Sequence, residues 1–148
     1  MPNVKAIPDG YQHLQAYLII KNCAEAIEFY KKIFSAKERL RMPRPDGRIG
    51  HAELEFGDSC LMMADEHPEI GAYAPQHYGG CPVRMHLYVE DCDAVYKRAI
   101  AAGAKSEREP KDQFYGDRIA AVIDPFGYAW YMATHIKDVS KGELEKVR

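Results

Sequence analysis

The chain repeats itself. Leu14–Cys23 (LQAYLIIKNC) and Val83–Cys92 (VRMHLYVEDC) share one pattern, an alternating strand-type run that ends in a polar turn. A helix-patterned stretch follows each, AEAIEFYKKIFSAK in the first half and DAVYKRAIAAGAK in the second. Ala26, Ile27, Tyr30 and Ile33 fall at helical spacing in the one, and Val95, Ala99 and Ala102 in the other. Both stretches end on a small residue before a lysine, Ser35-Ala36-Lys37 and Gly103-Ala104-Lys105, and Gly103 suits a left-handed helix stop. Further on, Arg48-Ile49 and Phe56-Gly57 correspond to Arg118-Ile119 and Phe126-Gly127. Runs of strand type accompany them: HAELEF, SCLMMAD, AAVID and YAWYMATH. Order and spacing agree throughout, so duplication explains the pattern better than coincidence. Two copies of strand, helix and three strands make an α+β fold of two βαβββ modules, over about residues 11–67 and 82–135.

A length of 148 residues suits a single domain, 1–148, large enough to bury a core. Hydrophobic residues at 47% and charged residues at 28% match a soluble globular protein. A net charge of −2 gives no electrostatic reason to expect nucleic acid or an anionic membrane as partner. No run approaches the ~20 apolar residues of a membrane helix, and MPNVKAIPDGYQHL has no signal-peptide core. Cys23, Cys60, Cys81 and Cys92 are scattered without metal-type spacing, which fits free thiols in the cytoplasm. Cys23 and Cys92 fall at the same place in the repeat and read as small apolar fillers beside a helix start. Ser140-Lys141-Gly142-Glu143 has capping-box spacing and predicts a short tail helix, GELEKVR, weakened by Gly142.

Strand parity divides the first strand of each half into two faces. Leu14, Ala16, Leu18 and Ile20 form one apolar face, and Val83, Met85, Leu87 and Val89 form its counterpart. These faces are expected to pack on the helices. The opposite faces carry Gln15, Tyr17 and Ile19, then Arg84, His86 and Tyr88. Such polarity suits either a solvated sheet face or the wall of a ligand cup, where apolar surface meets a few convergent polar groups. Aromatic and long hydrogen-bonding side chains outnumber Lys, Glu and Thr here, which pushes against a plainly solvated face, and two curled half-barrels set edge to edge would turn both faces toward one shared cup. Parity puts His51 and Glu53 together on the third strand, with Met63 and Tyr131 following on the last strands. Trp130 has the opposite parity and is expected against a helix.

The segments AYLIIKNCAEAIEFYKKIFSAK, GHAELEFGDSCLMMADE, LYVEDCDAVYKRAIAAGAK and DQFYGDRIAAVIDPFGYAW resemble the vicinal oxygen chelate superfamily. This is the glyoxalase, bleomycin-resistance and extradiol-dioxygenase group, and the chain is most similar to its PhnB-like branch. The resemblance runs from about Tyr11 to His135 and implies a curled mixed sheet around a cup. It also implies a homodimer. Metal-dependent members place ligands on the first and last strands of each half, which by position are Gln15, Leu61, Arg84 and Tyr131 here. Gln15 offers a carbonyl oxygen. Leu61 has no donor atom, and Arg84 is a fixed cation that repels a metal. The usual metal site is therefore lost and no cofactor is expected. A divalent ion would need a relocated site among His13, His51, Glu53 and His86, the disfavoured alternative.

Three readings follow from the same residues. In the first, a metal-poor cup binds a small polar or aromatic molecule. Arg84 grips an anionic or carbonyl group by a forked hydrogen bond, or else pairs with a carboxylate such as Glu53. Tyr17, Tyr88 and Tyr131 supply flat walls with polar tips, or else ordinary sheet packing. Gln15, His51 and Met63 complete the lining. Phe114, Tyr115 and Arg118 lie in a QFYGDR turn that either covers the pocket or merely joins two strands. In the second reading a glyoxalase-like lyase, isomerase or dioxygenase uses a relocated metal. In the third, His86 or Glu53 serves as a metal-free acid or base. No Gly-rich loop after a strand supports methyl transfer.

Overall fold

A computed structural model describes residues 3–146. The first half runs β1 (Ala16–Ile20), α1 (Cys23–Phe34), β2 (Lys37–Pro43), β3 (Ile49–Phe56) and β4 (Ser59–Asp65). A 3-10 turn at Pro68–Ile70 and the short helix α2 (Pro75–Tyr78) follow. The second half repeats the order with β5 (Arg84–Tyr88), α3 (Cys92–Ala101), β6 (Lys105–Asp112), β7 (Asp117–Ile123) and β8 (Ala129–His135). The chain divides at Gly79/Gly80 into two compact units, each with its own four-stranded sheet.

The strand orders are β1-β4-β3-β2 and β5-β8-β7-β6. In each unit the first strand pairs parallel to the last, and the other pairings are antiparallel. Helix α1 forms because Ala26, Ile27, Tyr30 and Ile33 make one apolar stripe, and all four are fully buried. Ser35 stops it in the left-handed region at φ 57°, with its N–H on the Tyr30 carbonyl oxygen. The helix start is held from outside. Asp65, at the end of β4, accepts the Cys23 N–H at 2.9 Å and the Ile49 N–H at 2.7 Å. Thr134 does the corresponding work in the second unit, accepting the Cys92 N–H at 2.9 Å and donating to the Val89 carbonyl at 2.8 Å. Cys23 and Cys92 are buried free thiols at the first helical positions.

The expected helix-facing surface of the first strands needs correction. Leu14 and Val83 lie outside the strands and are 86% and 62% exposed. Leu18 and Ile20 are buried, because α1 packs on all four strands of its sheet. Met85 and Leu87 are only half-buried, because α3 sits over β6, β7 and β8 and leaves edge strand β5 less covered. Trp130 is buried on the face opposite Tyr131. Its Nε1–H donates to Asp124 at 2.9 Å, and the same carboxylate accepts the Phe126 and Tyr128 N–H groups of the DPFG turn.

The QFYGDR segment is a tight hairpin from β6 to β7: the Gln113 N–H meets the Asp117 carbonyl at 2.7 Å, and the Gly116 N–H meets the Gln113 carbonyl at 3.1 Å. The tail helix α4 is shorter than expected, Lys141–Leu144, with Ser140 Oγ accepting the Glu143 N–H at 3.2 Å. Val147 and Arg148 of the expected helix lie outside the described residues.

Both sheets are curled. In the second unit β5 and β6 are opposite edges, yet the Arg84 guanidinium on β5 meets the Glu107 carboxylate on β6. In the first unit Tyr11, just ahead of edge strand β1, lies 4.9 Å beneath the Arg39 guanidinium of edge strand β2. Each sheet therefore has one concave face whose edges approach each other.

Candidate functional site

Register decides which side chains share these concave faces, because residues paired across a ladder point the same way. In the first unit Tyr17, Met62, Glu53 and Leu40 form one row across β1, β4, β3 and β2. Met63 pairs instead with Leu18 and Ala52 and is fully buried on the α1 side. Its expected place in the ligand lining is thus corrected. Met62, one residue earlier, faces the concave side. Leu61, paired with Ala16, shares the face of Met63 across the pleat.

Glu53 is the centre of the first concave face. It is only 3% exposed. Tyr11 donates to its Oε1 at 2.6 Å, and His51 Nε2 lies 2.8 Å from its Oε2. Burial pushes this carboxyl up, but the hydrogen bonds from Tyr11 and His51 and the Arg39 charge outweigh it and hold Glu53 below its usual range. An ionised carboxylate only accepts, so His51 carries its proton on Nε2. Nδ1 is then free to accept the Tyr17 hydroxyl at 2.9 Å. The result is an ordered chain, Tyr17 to His51 to Glu53, with its tyrosine end exposed. Arg39 Nη1 stands 3.8 Å from Glu53, and Arg39 Nε donates to Glu55 at 3.0 Å. The sequence reading missed both Tyr11 and Arg39, since Tyr11 precedes the strand and Arg39 sits in a charged run without alternation. Gln15, beside this face, spends its side-chain oxygen on the Gln12 N–H at 2.6 Å.

In the second unit the row is His86, Tyr131, Ala121 and Arg108 across β5, β8, β7 and β6. The Arg84 and Arg108 guanidinium carbons lie 5.4 and 5.9 Å from the Tyr131 ring centre. The His86 ring is 5.1 Å from Tyr88 and 6.1 Å from Tyr131. Arg84 finds its carboxylate partner in Glu107, not in Glu53. Tyr88 donates to Asp117 Oδ2 at 2.7 Å, and His135 bridges Asp117 and Asp138 at 2.7 Å each. These two carboxylate hydrogen bonds raise the His135 pKa. Burial raises the Asp117 pKa, but the bonds from His135 and Tyr88 prevail and lower it. Tyr115 sits half-buried in the hairpin, its hydroxyl pKa raised by burial and by the Asp117 charge.

The four family metal positions do not fit a divalent ion. Gln15 is already partnered, Leu61 is buried without a donor, Arg84 is an ion-paired cation and Tyr131 lies beneath guanidinium groups. Of the relocated set, His51 and Glu53 bond to each other and His13 is exposed. Among the described residues, no three His, Cys, Asp or Glu side chains are grouped to hold a metal ion. No helix among them is long and apolar enough to cross a membrane.

The sequence profile of the Glyoxalase/Bleomycin resistance protein/Dioxygenase superfamily matches residues 10–132. An uncharacterized protein of Mycobacterium bovis is 38% identical over 135 residues, 89% of either chain. A protein of Mycobacterium tuberculosis is equally similar over 89% of this chain and 79% of its own. Among solved structures, TioX from Micromonospora sp. ML1 aligns with a TM-score of 0.65 at 25% identity, covering 87% of this chain and 100% of its own. A Pseudomonas aeruginosa protein gives 0.67 at 25% identity over 85% and 99%. The PhnB protein of Bacillus cereus gives 0.64 at 15% identity over 83% and 99%, a likeness of fold alone.

Proposed function

We propose that this chain, which belongs to the glyoxalase/bleomycin resistance protein/dioxygenase superfamily, binds a small polar or aromatic molecule without a metal. The observation that carries the proposal is the donor set. The resemblance implies metal ligands at Gln15, Leu61, Arg84 and Tyr131. Yet Leu61 turns toward α1 and the concave-facing residue beside it is Met62, while the concave faces present tyrosine, histidine and arginine. Such a surface suits recognition by stacking and directed hydrogen bonds. Within the superfamily, the sequence resemblance favours the PhnB-like branch, and the PhnB protein of Bacillus cereus shares the fold. Four free cysteines fit a reducing, cytoplasmic setting.

Metal analysis of untagged protein, repeated after exposure to nickel, zinc, manganese and iron, tests the reading. Substoichiometric metal throughout is expected, together with a rise in melting temperature for some members of a panel of small aromatic compounds. One bound ion per chain would overturn it.

A second reading, acid–base chemistry without metal, is favoured by the chain from Tyr17 through His51 to Glu53. A base oriented by a carboxylate and bonded to a hydroxyl is the arrangement that moves protons in many sites. Simple 2-oxo acids incubated with the protein in deuterium oxide should then exchange their α-protons, and Glu53→Gln should stop the exchange. Equal exchange in the variant would discard Glu53 as the orienting group.

A further inference from the structure

The two units act as internal controls for each other, and their difference lies in one ladder row. Leu40–Glu53–Met62–Tyr17 in the first unit corresponds to Arg108–Ala121–Tyr131–His86 in the second. Both edge strands carry a register shift at the same point, between Glu38 and Leu40 and between Ser106 and Arg108. A bulge frees one residue from strict alternation and re-aims its side chain. It lets Glu107 reach Arg84 while its neighbour Arg108 reaches Tyr131, both over the concave face. In a regular strand only one of two adjacent residues could do so.

The charge count then differs. In the first unit the bulged cation Arg39 has Glu53 and Glu55 within reach. In the second unit the ladder positions of those carboxylates hold Ala121 and Ile123. Two guanidinium groups, Arg84 and Arg108, converge on Tyr131 with Glu107 as the carboxylate of the one and no ion pair for the other among the described residues. No carboxylate takes the place of Glu53 beside Arg108: the ionised Asp117 lies four residues earlier on β7, where Tyr88 and His135 hold it.

We propose that the concave face of the second unit binds an aromatic monocarboxylate, its carboxylate on Arg108 beside Arg84 and its ring against Tyr131 and His86. The ligand's carboxylate supplies the charge that Glu53 supplies in the first unit. A guanidinium grips a planar carboxylate by two parallel hydrogen bonds, and aromatic rings pair edge-to-face or offset. The inference rests on the reading of the chain as a small-molecule binder and names the class of molecule.

The test is calorimetric titration of the full chain with benzoate, benzamide and inorganic phosphate. Benzoate should bind, with benzamide and phosphate much weaker. R108A, a change at an exposed side chain, should weaken benzoate about 30-fold or more, since it removes one partner of a charged pair. Ala121→Glu should abolish benzoate binding by placing a carboxylate in the empty row position. If that variant does not fold, R108A decides alone. Equal binding of benzamide and benzoate would overturn the charge inference and leave small-molecule binding standing. Phosphate binding as tight as benzoate would overturn the aromatic part. No binding of benzoate, or unchanged binding in R108A, would overturn the site, while metal analysis and the compound panel judge the broader reading separately.

Discussion

Glu53 and Asp117 are both buried carboxylates held by a tyrosine and a histidine. They occupy different places in the repeat: the ladder equivalent of Glu53 is Ala121, and Asp117 opens β7. Removing one oxygen acceptor leaves a buried donor unpaired, which costs about 1–3 kcal/mol. Glu53→Gln should therefore lower unfolding stability by that order in urea. The sign of its pH dependence follows from its lowered pKa. The contribution of Glu53 is complete above the ordinary glutamate value, ~4.3, and is lost as pH falls through the lower folded value. The variant's stability should change less than that of wild type over this acid window. Identical acid slopes would show that the fold does not favour the ionised form. At this scale the sequence pointed to Glu53 and His51 by parity, but Tyr11 and Arg39 emerged only from the curl of the sheet.

Turns and caps govern the elements. Gly116 has φ 97°, and a Cβ there would run into the Lys137 carbonyl oxygen. It accepts this close approach because the Ile136 and Lys137 N–H groups bond back to its own carbonyl at 2.8 and 3.1 Å. Gly116→Ala should cost more than about 1 kcal/mol, since it adds both a positive-φ penalty and a clash. Thermal melts check this, and an unchanged melting temperature would mean the segment after β8 shifts freely. Asp65→Ala should also destabilise, by about 1–2 kcal/mol for the lost helix cap alone, because Asp65 serves the start of β3 as well. Helices α1 and α3 were legible from apolar spacing. Strands β2 (KERLRMP) and β6 (KSEREPKD) were not picked out as runs. They are exposed edge strands rich in charge, a composition that discourages edge-to-edge association and hides the strand signal.

For the whole molecule, the family resemblance carries the proposal of a homodimer. Light scattering should report the mass of two chains across a dilution series, and a single-chain mass throughout would dismiss it. The duplication, the helix faces and the DPFG and Gly116 turns were determined by the sequence alone, because each depends on neighbours a few residues away. Periodicity and φ preference act over that range. The same local reasoning put Met63 beside Tyr131 and Arg84 beside Glu53. Tertiary structure decided otherwise, since a ladder offset of one residue exchanges the two faces of a strand. The one-residue difference between the four-residue turn Phe56–Ser59 and the five-residue turn Asp124–Tyr128 lies outside any pattern of alternation. The bulges in β2 and β6 likewise leave no mark in composition. They bring Arg39 to Glu53 in one unit and Glu107 to Arg84 in the other. Local sequence specifies elements and their buried stripes; strand register and curl, set by packing between distant segments, decide which charges meet.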